Sequence, residues 1–247
     1  MNNIGFGIFC FGPEYYYKGT YEKIKNILNE GYRCYVLTED PDYFRLKFTD
    51  TFLHVIPYKR NYKSYADKMI LPKHILSIHD ICILIDADTH ITDYSFLKSL
   101  KTYNFKYGIS YVNTLENHAA NKKYVKELIN TDGTEWNSYH TYASKIYPNY
   151  GDFETMWEYF LIFNKVGFKE NLFYNYYEKL QVAKEFCDLT LNKEINGAGE
   201  GISIHISAKL SDSDIQRDLE LYDMLKDKMI SVSRRHTRKE FWPEWMK

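Results

Sequence analysis

The stretch Ile81–Ile91 reads Ile-Cys-Ile-Leu-Ile-Asp-Ala-Asp-Thr-His-Ile, five apolar residues that stop abruptly at an acid. Such a short, β-branched run is the signature of a strand buried on both faces, as in the middle of a parallel sheet. Asp86 and Asp88 then stand at its C-terminal end, outside which open α/β sheets bind their ligands. Two carboxylates there repel each other unless a cation neutralises them. A pair of hard oxygen donors one residue apart suits Mg²⁺ or Mn²⁺ carrying a phosphate-bearing substrate. A D-x-D triplet alone also marks turns and helix caps. The apolar run before it, and Thr89-His90-Ile91 after it, place this one where a parallel sheet keeps its site.

The flanking chain repeats a strand–helix rhythm, which implies right-handed crossovers and an α/β fold with a mostly parallel sheet. Ile4–Phe11 reads as the first strand, broken by Gly12-Pro13. Tyr21, Ile24, Ile27 and Leu28 recur at helical spacing, with Gly31 placed as the helix C-terminal residue. Cys34–Leu37 and Phe52–Ile56 are further strands. Lys63–Ile78 is a helix that Pro72 must kink or restart. Tyr94–Leu100 is a short helix with Asp93 as its N-cap, and Tyr107–Val112 another strand. Residues 113–149 turn polar and aromatic, with a mobile loop expected near Asn130–Ser138. Asp152–Asn164 ends as a strand, and Phe168–Leu191 is a long amphipathic helix. Gly197–Gly201 is a loop, Ile202–Leu210 fits strand or helix, and Asp214–Met229 is a helix.

Composition narrows the class. The chain has 247 residues, 45% hydrophobic and 26% charged, so one globular domain with a large core is expected. The net charge of −1 argues against nucleic-acid binding through a basic surface. No apolar run approaches the roughly 20 residues of a membrane span, and the first residues lack the basic region of a secretory signal. A soluble, cytoplasmic protein is therefore expected. Cys10, Cys34, Cys82 and Cys187 show no C-x-x-C spacing, and core thiols are expected. The 24 tyrosines supply rings that sugars stack on, although an AT-rich genome also yields such a bias.

Asp67-Lys68-Met69, a helix-like stretch, and then Ile83-Leu-Ile-Asp-Ala-Asp-Thr89 resemble the D-x-D region of GT-A-fold nucleotide-sugar glycosyltransferases. The resemblance extends over residues 4–109. It implies a Rossmann-like central sheet flanked by helices. Residues 1–112 would form the nucleotide-sugar-binding half, and residues 113–247 the acceptor-binding and catalytic half of the same domain. It further implies that Asp86 and Asp88 hold Mn²⁺ or Mg²⁺ on the donor diphosphate. His236 would be the third ligand, with His205 as runner-up, and Arg235 or Arg238 would bind the phosphates. Tyr159-Phe-Leu-Ile-Phe-Asn164 and Gly199-Glu200-Gly201 are similar to two blocks of the blood-group-type retaining transferases, with glycines flanking the acid here. That likeness puts Glu200 at the donor sugar's anomeric face.

The strand ends supply the remaining candidates. Phe9, Gly12, Thr38 and Glu39 lie where base or ribose would bind. Lys68 suits ribose or phosphate, Asp67 suits the base or the orientation of Lys68, and the small Ala87 lets a sugar ring approach. Asp152, Glu154 and Glu158, with Trp157, combine carboxylates able to deprotonate an acceptor hydroxyl with an indole able to stack a sugar. The expected donor is a UDP-sugar and the acceptor a glycan hydroxyl. Two rivals are a sugar-phosphate nucleotidyltransferase and a non-enzymatic carbohydrate-binding module. The first usually needs a cationic glycine-rich loop after the first strand, which Gly12-Pro13-Glu14-Tyr15 does not provide.

Overall fold

The computed structural model describes residues 2–59, 65–114, 156–182 and 200–231. Its strands are β1 (Ile4–Cys10), β2 (Arg33–Thr38), β3 (Leu53–Pro57), β4 (Ile81–Asp86), β5 (Thr89–Ile91), β6 (Ile109–Thr114), β7 (Met156–Asn164), β8 (Ile215–Arg217) and β9 (Met229–Ser231). Its α-helices are α1 (Glu14–Asn29), α2 (Pro41–Arg45), α3 (Ile70–Leu76), α4 (Phe96–Leu100), α5 (Glu170–Val182), α6 (Glu200–Leu210) and α7 (Leu219–Leu225).

Seven strands make one sheet in the order β3-β2-β1-β4-β7-β6-β8. β1 pairs in parallel with β2 and β4, β2 with β3, and β6 with β8, while β7 runs antiparallel between β4 and β6. The expected α/β architecture with a mostly parallel sheet is thus observed. All of β1 and the first five residues of β4 are buried. Side chains alternate across a strand, so each strand feeds two cores. Ile8, Val36, Ile83 and Ile85 join Ile24 and Ile27 of α1 and Leu97 of α4 on one face. Leu37, Leu84 and Phe163 join Leu71 and Ile75 of α3, Phe173 of α5 and Ile204 of α6 on the other. Cys10, Cys34 and Cys82 are buried free thiols, as expected; Cys187 lies outside the described residues. So does the expected loop at Asn130–Ser138. No helix among the described residues is long and apolar enough to cross a membrane.

Several boundaries differ from expectation. The single helix over Lys63–Ile78 is a 3₁₀ segment, Tyr65–Met69, followed by α3. Pro72 sits in the first turn of α3, where its missing N–H leaves no intrahelical bond unmade. Asp93 does not cap α4. It accepts the Ser95 N–H at 2.8 Å, closing a turn before the helix. Residues 214–229 are not one helix but β8, α7 and β9. There the sheet edge overrides helical spacing: Ile215 pairs with Ile109, and Asp218 restarts the chain as the cap of α7 by accepting the Leu221 N–H at 3.0 Å. Gly31 ends α1 with a φ of +80°, and the Tyr32 N–H reaches back to the Ile27 carbonyl at 3.2 Å.

Gly108, ahead of β6, meets Gly167, beyond β7, backbone to backbone. A Cβ at 108 would strike the Gly167 carbonyl and come within 2.6 Å of the Phe168 nitrogen. The Gly108 carbonyl also accepts the Asn164 N–H at 2.8 Å. Backbone cannot yield as a side-chain tip does, so Gly108→Ala is expected to destabilise the protein by about 3 kcal/mol. Urea unfolding measures this, and a change below about 0.5 kcal/mol would show that the junction yields.

Candidate active site

Because β1 to β4 run parallel, their C-terminal ends share one rim. Phe9 of β1 pairs with Asp86 of β4, and Thr38 ends β2 beside Cys10. β7 runs the other way and begins at this rim. Phe160 pairs with Ile85, so Glu158, two residues earlier, stands beyond the end of β4. Glu158 in turn meets α6, where its Oε1 accepts the Gly201 N–H at 2.7 Å. A Cβ on Gly201 would lie 2.7 Å from the Met156 carbonyl, so the helix start presses directly on β7. After the acids, β5 pairs antiparallel with β9, with Thr89 opposite Ser231.

The charges are arranged around Asp-Ala-Asp. Lys68, buried in the 3₁₀ segment, forms an ion pair with the half-buried Asp86 and also points at the Glu158 carbonyl, 3.5 Å away. Lys23 of α1 is completely enclosed, with 1% of its surface exposed, and its ammonium donates to the Ala87 carbonyl at 2.8 Å. Burial pulls the Lys23 ammonium down to about 8, against the opposing pull of Asp88. Burial pushes the Asp88 carboxyl up to about 6, and the neighbouring Asp86 adds to this, with Lys23 and Lys68 opposing. Burial also raises Glu158, while Lys68 draws it down. A desolvated acid repelled by its neighbour is what a hard cation relieves. Two carboxylates supply hard oxygen donors of the kind Mg²⁺ or Mn²⁺ takes.

The fold therefore gathers Asp86, Asp88, Ala87, Lys68 and Glu158 at one place. Asp67 is buried beside Lys68 and accepts the Tyr58 hydroxyl at 3.2 Å. Phe9 is buried against Phe11, with ring centroids 4.4 Å apart, and Gly12 turns the chain with a φ of +112°. Thr38 is enclosed, donating to the Tyr17 hydroxyl at 3.5 Å, whereas Glu39 is exposed. One expectation is corrected. Glu200 is not in a loop but is the first residue of α6. His205 lies in the same helix, buried with its ring 6.3 Å from Tyr111, and among the described residues no group of three His, Cys, Asp or Glu is placed to hold a metal. Asp152, Glu154, Arg235, His236 and Arg238, and the side chains of Trp157 and Glu200, lie outside the described residues.

Lys23 is the residue that sequence reasoning missed. It falls on the buried stripe of α1 with Thr20, Ile24 and Ile27. A lysine three residues after one buried position and four before another was the available signal. The β5–β9 pairing was also missed, because three-residue strands carry no period to read.

No protein-family model matches the chain, and no curated protein matches it. Solved structures do. One is the apo WbbM bifunctional glycosyltransferase, at 10% identity and a TM-score of 0.48, over 88% of this chain and 39% of that one. A second is the galactosyltransferase LgtC with donor and acceptor sugar analogs, at 10% identity and 0.47, over 87% and 72%. A third is the glycosyltransferase GlyE of Streptococcus pneumoniae TIGR4, at 12% identity and 0.43, over 90% and 46%. The chain thus spans less than half the length of the first and third.

The electrostatics make a sign-definite prediction for the metal-free protein. The Asp88 carboxyl titrates near 6 in the fold and near its ordinary value of 3.8 when unfolded. The folded state holds the extra proton between those values, so stability falls as pH rises through that window. Asp88→Asn removes the penalty. It should stabilise the chelator-treated protein by about 3 kcal/mol at pH 7.5, with most of that gain gone near pH 4. Equal gains at both pH values in urea unfolding would refute the charge account.

Proposed function

We propose that the protein is a metal-dependent glycosyltransferase of the GT-A kind, moving a sugar from a nucleotide diphosphate sugar, with UDP the expected nucleotide, to a hydroxyl of a glycan. The observation that carries this reading is the delivery of Asp86 and Asp88 by a doubly buried parallel strand to the rim where Lys68 and Glu158 also converge. Residues 1–112 are assigned the donor, and residues 113–247 the acceptor.

Asp86 and Asp88 would hold Mn²⁺ or Mg²⁺ through carboxylate oxygens. A divalent ion bound there stabilises negative charge on the departing diphosphate. The Lys68 ammonium, fixed by buried packing, offers a second positive charge to that group. β9 pairs Ser231 with Thr89, the residue after the acid pair, and Arg235, His236 and Arg238 follow Ser231 closely in sequence. This supports the assignment of His236 as third ligand and of the two arginines to the phosphates. Glu158 keeps one oxygen on the Gly201 amide, which fixes the strand to the helix and leaves the other for a hydroxyl proton. Burial raises its carboxyl, as suits an acid–base group. If the reaction inverts, a carboxylate from 152–158 is the base. If it retains, Glu200 or a donor phosphate oxygen assists at the opposite face. The nucleotidyltransferase reading gains nothing from the fold, because the β1–α1 turn leads into an acid, Glu14, in the first turn of α1.

Titrating UDP with and without Mn²⁺ tests the proposal, and binding should require the metal. In wild-type protein UDP release should depend on Mn²⁺ with at least one UDP-sugar. Asp86→Asn should reduce it by at least about a hundredfold while far-UV dichroism stays unchanged. Full activity of Asp86→Asn with several donors, or metal-indifferent UDP binding, would overturn the assignment.

A further inference from the structure

A lysine is almost never fully enclosed unless its charge is answered, and taking an ammonium out of water costs several kcal/mol. Lys23 is nevertheless enclosed at the centre of α1. Its hydrogen-bond partner among the described residues is neither carboxylate but the peptide carbonyl between them, that of Ala87, at 2.8 Å. We propose that Lys23 is a positioning residue for the Asp86-Ala87-Asp88 turn: from beneath, its ammonium clamps the Ala87 carbonyl and so holds both carboxylates toward the rim before any ligand arrives. This rests on the reading of Asp86 and Asp88 as donors to a divalent ion.

The physical need is clear from the pair itself. Two carboxylates one residue apart repel, and a free turn relaxes by rotating one of them away. Gripping the intervening carbonyl fixes the peptide plane joining Ala87 to Asp88, and with it the direction in which both side chains leave the backbone. A charge-assisted bond is stronger than a neutral one, and its positive charge offsets part of the repulsion it contains. The two lysines of the site therefore differ. Lys68 binds an Asp86 oxygen that an incoming ion needs. Lys23 binds only backbone and leaves every carboxylate oxygen available. A compact ammonium on a long stem reaches such a carbonyl through a packed core, where a planar guanidinium needs more room.

The test turns on a sign. If Lys23 acts merely as a nearby charge, its removal tightens Mn²⁺ binding, since a positive group leaves the vicinity. If it positions the turn, removal weakens Mn²⁺ binding by about 10- to 100-fold, the effect typical of losing a group that orients a metal ligand. Mn²⁺ is titrated by electron paramagnetic resonance into wild type, Lys23→Met and Lys23→Arg, with and without UDP. The expected result is weaker binding by Lys23→Met and partial recovery in Lys23→Arg. In turnover, the apparent KM for Mn²⁺ should rise more than kcat falls. Should Lys23→Met not fold, Lys23→Gln replaces it, with the same expected loss. Unchanged or tighter Mn²⁺ binding in the neutral variant, or identical binding by the neutral and arginine variants, overturns the proposal. Failure of wild type itself to bind Mn²⁺ overturns instead the reading of the acid pair.

Discussion

Repulsion between two carboxylates at the end of a buried strand is the constraint around which this rim is built. Asp86 and Asp88 leave β4 where the core stops and solvent begins. Each is balanced differently: Asp86 by direct pairing with Lys68, Asp88 by the charge of Lys23 beneath the turn. Burial still leaves Asp88 raised, so the compensation is incomplete. An incomplete balance suits a site that must accept a cation, because full neutralisation leaves nothing for the ion to relieve. Sites that bind and react commonly retain unfavourable electrostatics of this kind.

The rest of the rim depends on one reversed strand. A wholly parallel sheet sends each chain away from the rim as a helix. β7 arrives there instead, antiparallel to β4, and carries Glu158 to the acids. The Glu158 carboxylate then anchors the first turn of α6, whose far end packs Ile204 and Ala208 into the core shared with α3 and α5. That carboxylate–amide contact ties the start of α6 to the strand that reaches the acid pair. β5 and β9 make a second tie on the other side of Asp88.

Strong local signals carried most of the first half. The run Ile81–Ile85, the break at Gly12-Pro13 and the terminator Gly31 each needed no tertiary information, since apolar continuity and left-handed backbone are properties of a few residues. Candidates Asp86, Asp88, Lys68 and Glu158 were readable as chemistry, and the fold brings them together. Where the signal was weak, tertiary pairing decided. Residues 214–229 have helical spacing, but sheet pairing of Ile215 and Met229 divides them. Residues 202–210 suit either structure, and the groove between β7 and α5 makes them α6.

Periodicity and the placement of acids after an apolar run determined, without coordinates, that this chain forms a mostly parallel sheet with a charged rim at the end of β4. Those are short-range properties, set by which side chains water excludes. Only tertiary structure decided which charges face the acids. Lys23 is 64 residues from Ala87 in sequence, and Lys68 meets a carbonyl 90 residues away. Long-range pairing of this sort follows from how helices dock on a twisted sheet. No local pattern records it, because a buried lysine and an exposed one are spelled with the same letter.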